Sequence, residues 1–321
     1  MPIRLTELIE KVPPEVENRV KKTLSHAKPI LQEMLRRECR LTMRKGESDE
    51  EDRKNVQVPV EVAPGHPVIL EDVTFPDDLE RILLLGRERA ALESARASAD
   101  ALIPLRAKLA QRSAPDQWTG ATEAEIRSVR DWADTLLKRL DESDPIKAVL
   151  AVSEDCLGVY SFDISALFAD EYAINGARIR LYWGVIGLCA EWMGCTVEDL
   201  TVVVLTHELA HSYTQLGADI DGRRWPATVF NRVETGLAEG LAQYYTDRVL
   251  NRVQKQHPAA LGVFLKMQPQ QPEPYRAHQP WLTAYSPEAV RRAMLEVRYW
   301  KELKLSDFNR RLNKAQQELH P

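Results

Sequence analysis

Cysteine is scarce. Only Cys39, Cys156, Cys189 and Cys195 occur, and no two stand in C-x-x-C spacing. That excludes a disulfide-stapled scaffold, a thiolate zinc cluster and a dithiol redox pair as the organising chemistry, and it suits thiols held reduced in a cytoplasm. Positive charge is not in excess either. The net charge is -5 and the isoelectric point near 5.9, so the basic footprint of a nucleic-acid binder is missing. No apolar run approaches the roughly 18 residues that span a bilayer. The opening MPIRLTELIEK lacks the apolar stretch of a secretory signal. These absences lead us to expect a cytoplasmic protein with no nucleic-acid or membrane partner; nothing in the sequence indicates an oligomeric state. What remains is ordinary globular composition, 44% hydrophobic and 28% charged over 321 residues, with length for one large domain or two smaller ones.

The expected class is α+β and predominantly helical, with a division near residue 145. Residues 1–145 read as a mostly helical region without catalytic spacing. Helices are expected around 5–10, 14–23 and 29–40, followed by a polar loop over 40–55. The β-type runs 56–62 and 66–70, joined by Ala63-Pro64-Gly65, suggest a hairpin. A long helical pattern over 77–110 should kink or break at Pro104. Another helix begins at the capping box Thr122-Glu123-Ala124-Glu125. The cluster Arg19, Lys21, Lys22, Lys28, Arg36, Arg37 and Arg40 reads as a solvated helix face. From 146 to 321 the pattern changes: strands are expected at 148–152, 157–162 and 177–183, then a short helix over 184–193. Two further helices, over 287–300 and 307–319, should close the chain.

The chemistry concentrates in Thr201–Gln215, TVVVLTHELAHSYTQ. Here His207 and His211 stand four apart with Glu208 directly after the first. On a helix, residues i and i+4 share a face, so two imidazoles can point at one ion. Glu208, about 100° further round, can reach a water beside the ion instead. Thr196, with Asp199 three residues on, signals the helix start, and Gly217 signals its end. Two histidines do not complete a catalytic zinc site, which needs a third protein ligand. The short metzincin spacing is absent, and Asp219 and Asp221 read as members of a polar turn. A second helix is expected over 234–245, ETGLAEGLAQYY, with Leu237, Leu241 and Tyr244 on one stripe.

In these two segments the chain resembles the gluzincins, the zinc-peptidase clan of thermolysin-like enzymes and zinc aminopeptidases. The matching positions are His207, Glu208 and His211, then Glu239, Gly240, Ala242 and Tyr244 in an E-G-x-A-x-Y pattern. The resemblance spans about residues 178–248. It implies a zincin-like fold with a small sheet ahead of the HELAH helix, a zinc cofactor and a peptide or protein substrate. It implies His207, His211 and Glu239 as ligands and Glu208 as general base. Residues 212–238 make the separation before Glu239 longer than is usual in that clan, and the excess reads as an enlarged connection, GADIDGRRWPATVFNR. Glu234 competes with Glu239; five positions apart, about 140° round a helix, they cannot both face one ion. Glu239 is preferred because Gly240 and Ala242 offer small residues for packing against the HELAH helix. The resemblance also implies a Tyr or His donor for the oxyanion. Tyr275, His278 and Tyr285 are the candidates, with Arg276 near, and Tyr285 is preferred for its place before the Ser286-Pro287-Glu288 helix start. The expected function is a zinc-dependent metallopeptidase. The alternatives are a regulatory protease for one partner protein, and a zincin-like scaffold that binds peptide without turnover.

Overall fold

A computed structural model describes residues 2–43, 58–67, 70–112, 121–151, 156–162, 176–300 and 303–319. The protein is α+β and predominantly helical, with two small sheets among the described residues. Its chain divides into two compact units, residues 1–5 with 73–148, and 6–72 with 149–321. The first 145 residues are thus shared between the units. No helix among the described residues is long and apolar enough to cross a membrane.

The smaller unit pairs β1 (Ile3–Arg4) antiparallel with β3 (Thr74–Phe75) and carries three helices, α3 (Leu79–Arg87), α4 (Arg89–Arg112) and α5 (Glu123–Glu142). Ile82, Leu92, Leu137 and Leu140 form its apolar centre. The capping box forms as expected: the Thr122 hydroxyl accepts from the Glu125 amide, and the Glu125 carboxylate accepts from the Thr122 amide. The expected long helix over 77–110 is two helices, and Pro104 lies inside α4 without ending it.

In the larger unit α2 runs unbroken over Glu15–Cys39, where two helices separated at Pro29 were expected. A proline removes one helical hydrogen bond. Yet Val16, Val20, Thr23, Ala27, Leu31, Leu35 and Cys39 stay on one buried stripe through it, and that burial holds the helix together. The hairpin is replaced by long-range pairing. β2 (Val60–Ala63) lies parallel to β5 (Arg178–Tyr182), and β4 (Gly158–Ser161) lies antiparallel on the other side of β5. Gly65 does make a left-handed turn, φ 79°, but Leu70 follows in a short helical turn; Val68 and Ile69, like Val56 and Gln57, lie outside the described residues. Alternation marks a strand without naming its partner. The strand expected at 148–152 is instead the end of α6 (Pro145–Leu150). The Asp144 carboxylate accepts from the Ile146 and Lys147 amides, and Pro145 supplies a pre-set first helical residue. Val152 is outside the described residues.

After β5 come α7 (Trp183–Met193) and the HELAH helix α8 (Val197–Leu216). They are followed by α9 (Ala227–Phe230), α10 (Thr235–Arg252), α11 (Ala260–Met267), α12 (Glu273–Arg276), α13 (Gln279–Ala284), α14 (Pro287–Val297) and α15 (Leu305–Leu319). The core centres on α8, where every residue from Leu200 to Leu216 is buried; α2, α10, α11 and β4 pack around it.

Candidate metal centre

The α8 sequence has no polar stripe. A helix buried on all sides must satisfy its hydroxyls internally, and it does. Thr201 donates to the Val197 carbonyl, Thr206 to Val202, Ser212 to Leu209 and Thr214 to His211. The start is fixed by Thr196, whose hydroxyl accepts from the Asp199 amide at 3.0 Å. The end is fixed differently from the left-handed cap that a glycine suggests. Gly217 has φ -64°. A Cβ there would run into the Tyr213 carbonyl and come within 2.7 Å of Leu41 Cβ; the glycine serves close approach. Buried Arg298 then donates to the Thr214 carbonyl at 2.7 Å and the Gly217 carbonyl at 2.9 Å, a cation against the negative helix end.

On this rod His207 and His211 face α10. Their Nε2 atoms stand 3.2 Å apart, and Glu239 Oε2 lies 3.2 Å from His207 Nε2 and 3.3 Å from His211 Nε2. These three residues form the group of donors, among the described residues, able to hold a metal ion. The triangle fits zinc. Two ligand atoms each about 2.0–2.1 Å from one ion at the tetrahedral angle stand about 3.3–3.4 Å apart, close to each edge here. The set of two imidazoles and one carboxylate is also one that zinc takes in catalytic sites. Burial alone would raise the Glu239 carboxyl, but the charge and hydrogen bonds of His211 and His207 outweigh it and hold it below the usual carboxylate range.

Glu208 is almost fully buried beside the triad, wedged against the edge strand. A Cβ added at Gly158 would lie 3.0 Å from Glu208 Oε1 and 2.7 Å from Val204. With His207, Glu208 opens on a mostly apolar pocket walled by Leu150, Leu157, Val203, Phe264 and Met267. Tyr275 also lines that pocket, its ring stacked on His207 with centroids 5.9 Å apart. The expected packing of Gly240 on the HELAH helix is corrected. Its nearest neighbours are Trp281, 2.8 Å from a built Cβ, and Ala277 at 3.3 Å. The missing side chain lets the 275–281 segment lie on α10 one residue from Glu239.

The other sequence candidates take different positions. Tyr285, outside the pocket lining, donates to Asn313 at 2.6 Å. His278 is fully buried, with Nδ1 at 3.0 Å from the Tyr275 carbonyl and Nε2 at 3.1 Å from the Gln268 amide nitrogen. Burial pushes its pKa down to about 4, so the neutral ring donates to the one and accepts from the other. Glu234 stands before α10 and accepts from the Leu305 amide at 2.8 Å. Asp219 closes a turn by accepting from the Asp221 and Arg223 amides. Arg276 is exposed. Sequence reasoning missed Tyr160 on β4. Its ring lies parallel to His211 at 6.3 Å, and its hydroxyl donates to buried Gln215 at 2.6 Å. Strand alternation located it on a strand without saying which face looks at α8.

A scan against protein-family models, a search of curated proteins and a search of solved structures each return no match for this chain. The residues carry the argument. They supply a buried His-x-x-x-His pair and a glutamate positioned for a metal ion, which is compatible with a zinc enzyme.

Proposed function

We propose that this protein is a zincin-like peptidase that hydrolyses peptide bonds with a zinc ion held by His207, His211 and Glu239. The observation that carries the reading is the donor triangle closing on one point, with the Glu208 carboxylate on the next helical position beside an apolar pocket. A purely structural site has no use for such a buried base. When bound, zinc supplies Lewis acidity, polarising a carbonyl oxygen and acidifying water. Glu208 takes the proton of the attacking water and passes it to the departing amine. The bare backbone of Gly158 leaves room for the Glu208 carboxylate beside β4, where a side chain would press on it. Tyr275 is taken before Tyr285 as the donor to the developing oxyanion, because it lines the pocket with its ring against His207 whereas Tyr285 lies outside that lining. Among the described residues β4 pairs on one side only, and its other edge would offer main-chain groups to an extended peptide.

Zinc-loaded protein should cleave peptides, and Glu208→Gln should lose on the order of 10²–10⁴ in rate while binding one zinc per chain. A metal-free preparation that fails to take up stoichiometric zinc, or a Glu208→Gln protein at full rate, overturns the reading.

A further inference from the structure

The pocket beside Glu208 holds a polar feature that the peptidase reading leaves unused. Gln243 sits four residues after Glu239 on α10, so both side chains leave the same face one turn apart. It is only 2% exposed and lines the pocket with Gln271. The Gln243 amide nitrogen donates to Gln271 Oε1 across a long 3.4 Å. Gln243 Oε1 has no hydrogen-bond partner among the described residues. A buried carbonyl oxygen without a donor costs about 1–3 kcal/mol; an apolar residue would fill this position without that cost. Apart from His207 and Glu208 the remaining described lining is mostly apolar, Leu150, Leu157, Phe264 and Met267 among it, and it includes no Lys, Arg or Asp. The space amounts to about 40 Å³, room for a few waters or one short side chain.

Resting on the peptidase reading, we propose that this is the specificity pocket and that it selects a short carboxamide side chain, asparagine in size, at the substrate position it receives. The substrate amide nitrogen donates to Gln243 Oε1, and the short stem packs on the aliphatic walls. Asparagine and aspartate are nearly isosteric, so chemistry decides between them; leucine shares the branched outline but is bulkier, so size adds to its mismatch. Leucine leaves Gln243 Oε1 unmatched. Aspartate brings a second acceptor and an uncompensated charge.

The test uses zinc-loaded full-length protein and peptides that differ only in Asn, Leu or Asp at each position flanking the cleaved bond. At one position kcat/KM for Asn should exceed that for Leu by on the order of 10–100-fold, with Asp lower still. Gln243→Met should erase or reverse the Asn–Leu order. A wild-type preference for Leu at every position, or an Asn preference untouched by Gln243→Met, overturns the proposal. Two readouts do not depend on turnover. N-acetyl-asparagine amide should bind the zinc-loaded protein more tightly than N-acetyl-leucine amide, and equal binding or a leucine preference overturns the proposal. Gln243→Met should also unfold at a higher temperature, and a lower one would mean that the amide serves the fold. Should no peptide be cleaved, the peptidase reading fails, while the order of amide binding still decides for or against the pocket.

Discussion

α5 and α8 are the same length, 20 residues each, and use polar residues in opposite ways. In α5 only Ala133, Leu137 and Leu140 are buried. Its charges pair at the surface, Arg127 with Glu123 and Arg130 with Asp100. Such pairs lie in water and contribute little. In α8 every residue from Leu200 onward is buried, so each polar side chain must be satisfied by its own helix or answer to something else. The hydroxyls are satisfied by carbonyls three or four residues back. His207, Glu208, His211 and Gln215 are not of that kind, and two of them, His207 and His211, belong to the group that could hold a metal ion. Polar residues on a solvated helix carry little information; on a helix buried all round they mark the site.

The sharpest break of this contrast is to empty the triangle. Glu239→Ala should reduce zinc uptake by orders of magnitude in equilibrium dialysis, whereas chelating the metal from wild type should abolish any hydrolysis and leave it recoverable on zinc addition. A smaller effect concerns the α8 end. Arg298→Met strands the Thr214 and Gly217 carbonyls in the core and should cost about 2–4 kcal/mol in denaturant unfolding. Next is His278. Its folded pKa is depressed to about 4 by burial, against about 6.5 unfolded. The unfolded chain therefore binds the extra proton between these values, so this contribution is complete above about pH 6.5 and lost as pH falls to 4. The loss amounts to at most about 3 kcal/mol. Measured on metal-free protein, that slope should flatten in His278→Gln. Smallest of all, Arg130→Ala on α5 should leave the unfolding midpoint unchanged within error; a clear drop would remove the contrast between the two helices.

Local signals carried much of this architecture. Thr122 and Thr196 cap helices where their spacing to an acid or amide three residues on predicts, and β4 and β5 lie where apolar alternation places them. What failed was non-local. A helix does not have to begin afresh at Pro29, because the buried stripe runs through it, and Pro104 does not end its helix although Leu102 and Leu105 beside it are exposed; local rules see neither. The 60–63 strand found a parallel partner more than a hundred residues away instead of the nearest run. The same limit governs the site. Spacing alone puts His207 and His211 on one face, whereas Glu239, which the structure brings to them, is reached through the family resemblance and through a packing of Gly240 that the structure does not show. That Tyr275 lines the pocket depends on how Gly240 lets the 275–281 segment lie on α10, and that Tyr160 meets His211 depends on which face of β4 looks at α8; no spacing records either.

The anchors of the two ligand-bearing helices share one property. Arg298 grips the last turn of α8, and the Glu234 amide and carboxylate that open α10 engage the Leu303 carbonyl and Leu305 amide. Both clamps come from chain made after either helix. During synthesis His207, His211 and Glu239 are all translated at least 59 residues before Arg298 and Leu305, so a nascent chain carries every candidate donor before the groups that anchor their helices. The two helices that carry the candidate donors therefore reach these anchors only after the later segment has emerged.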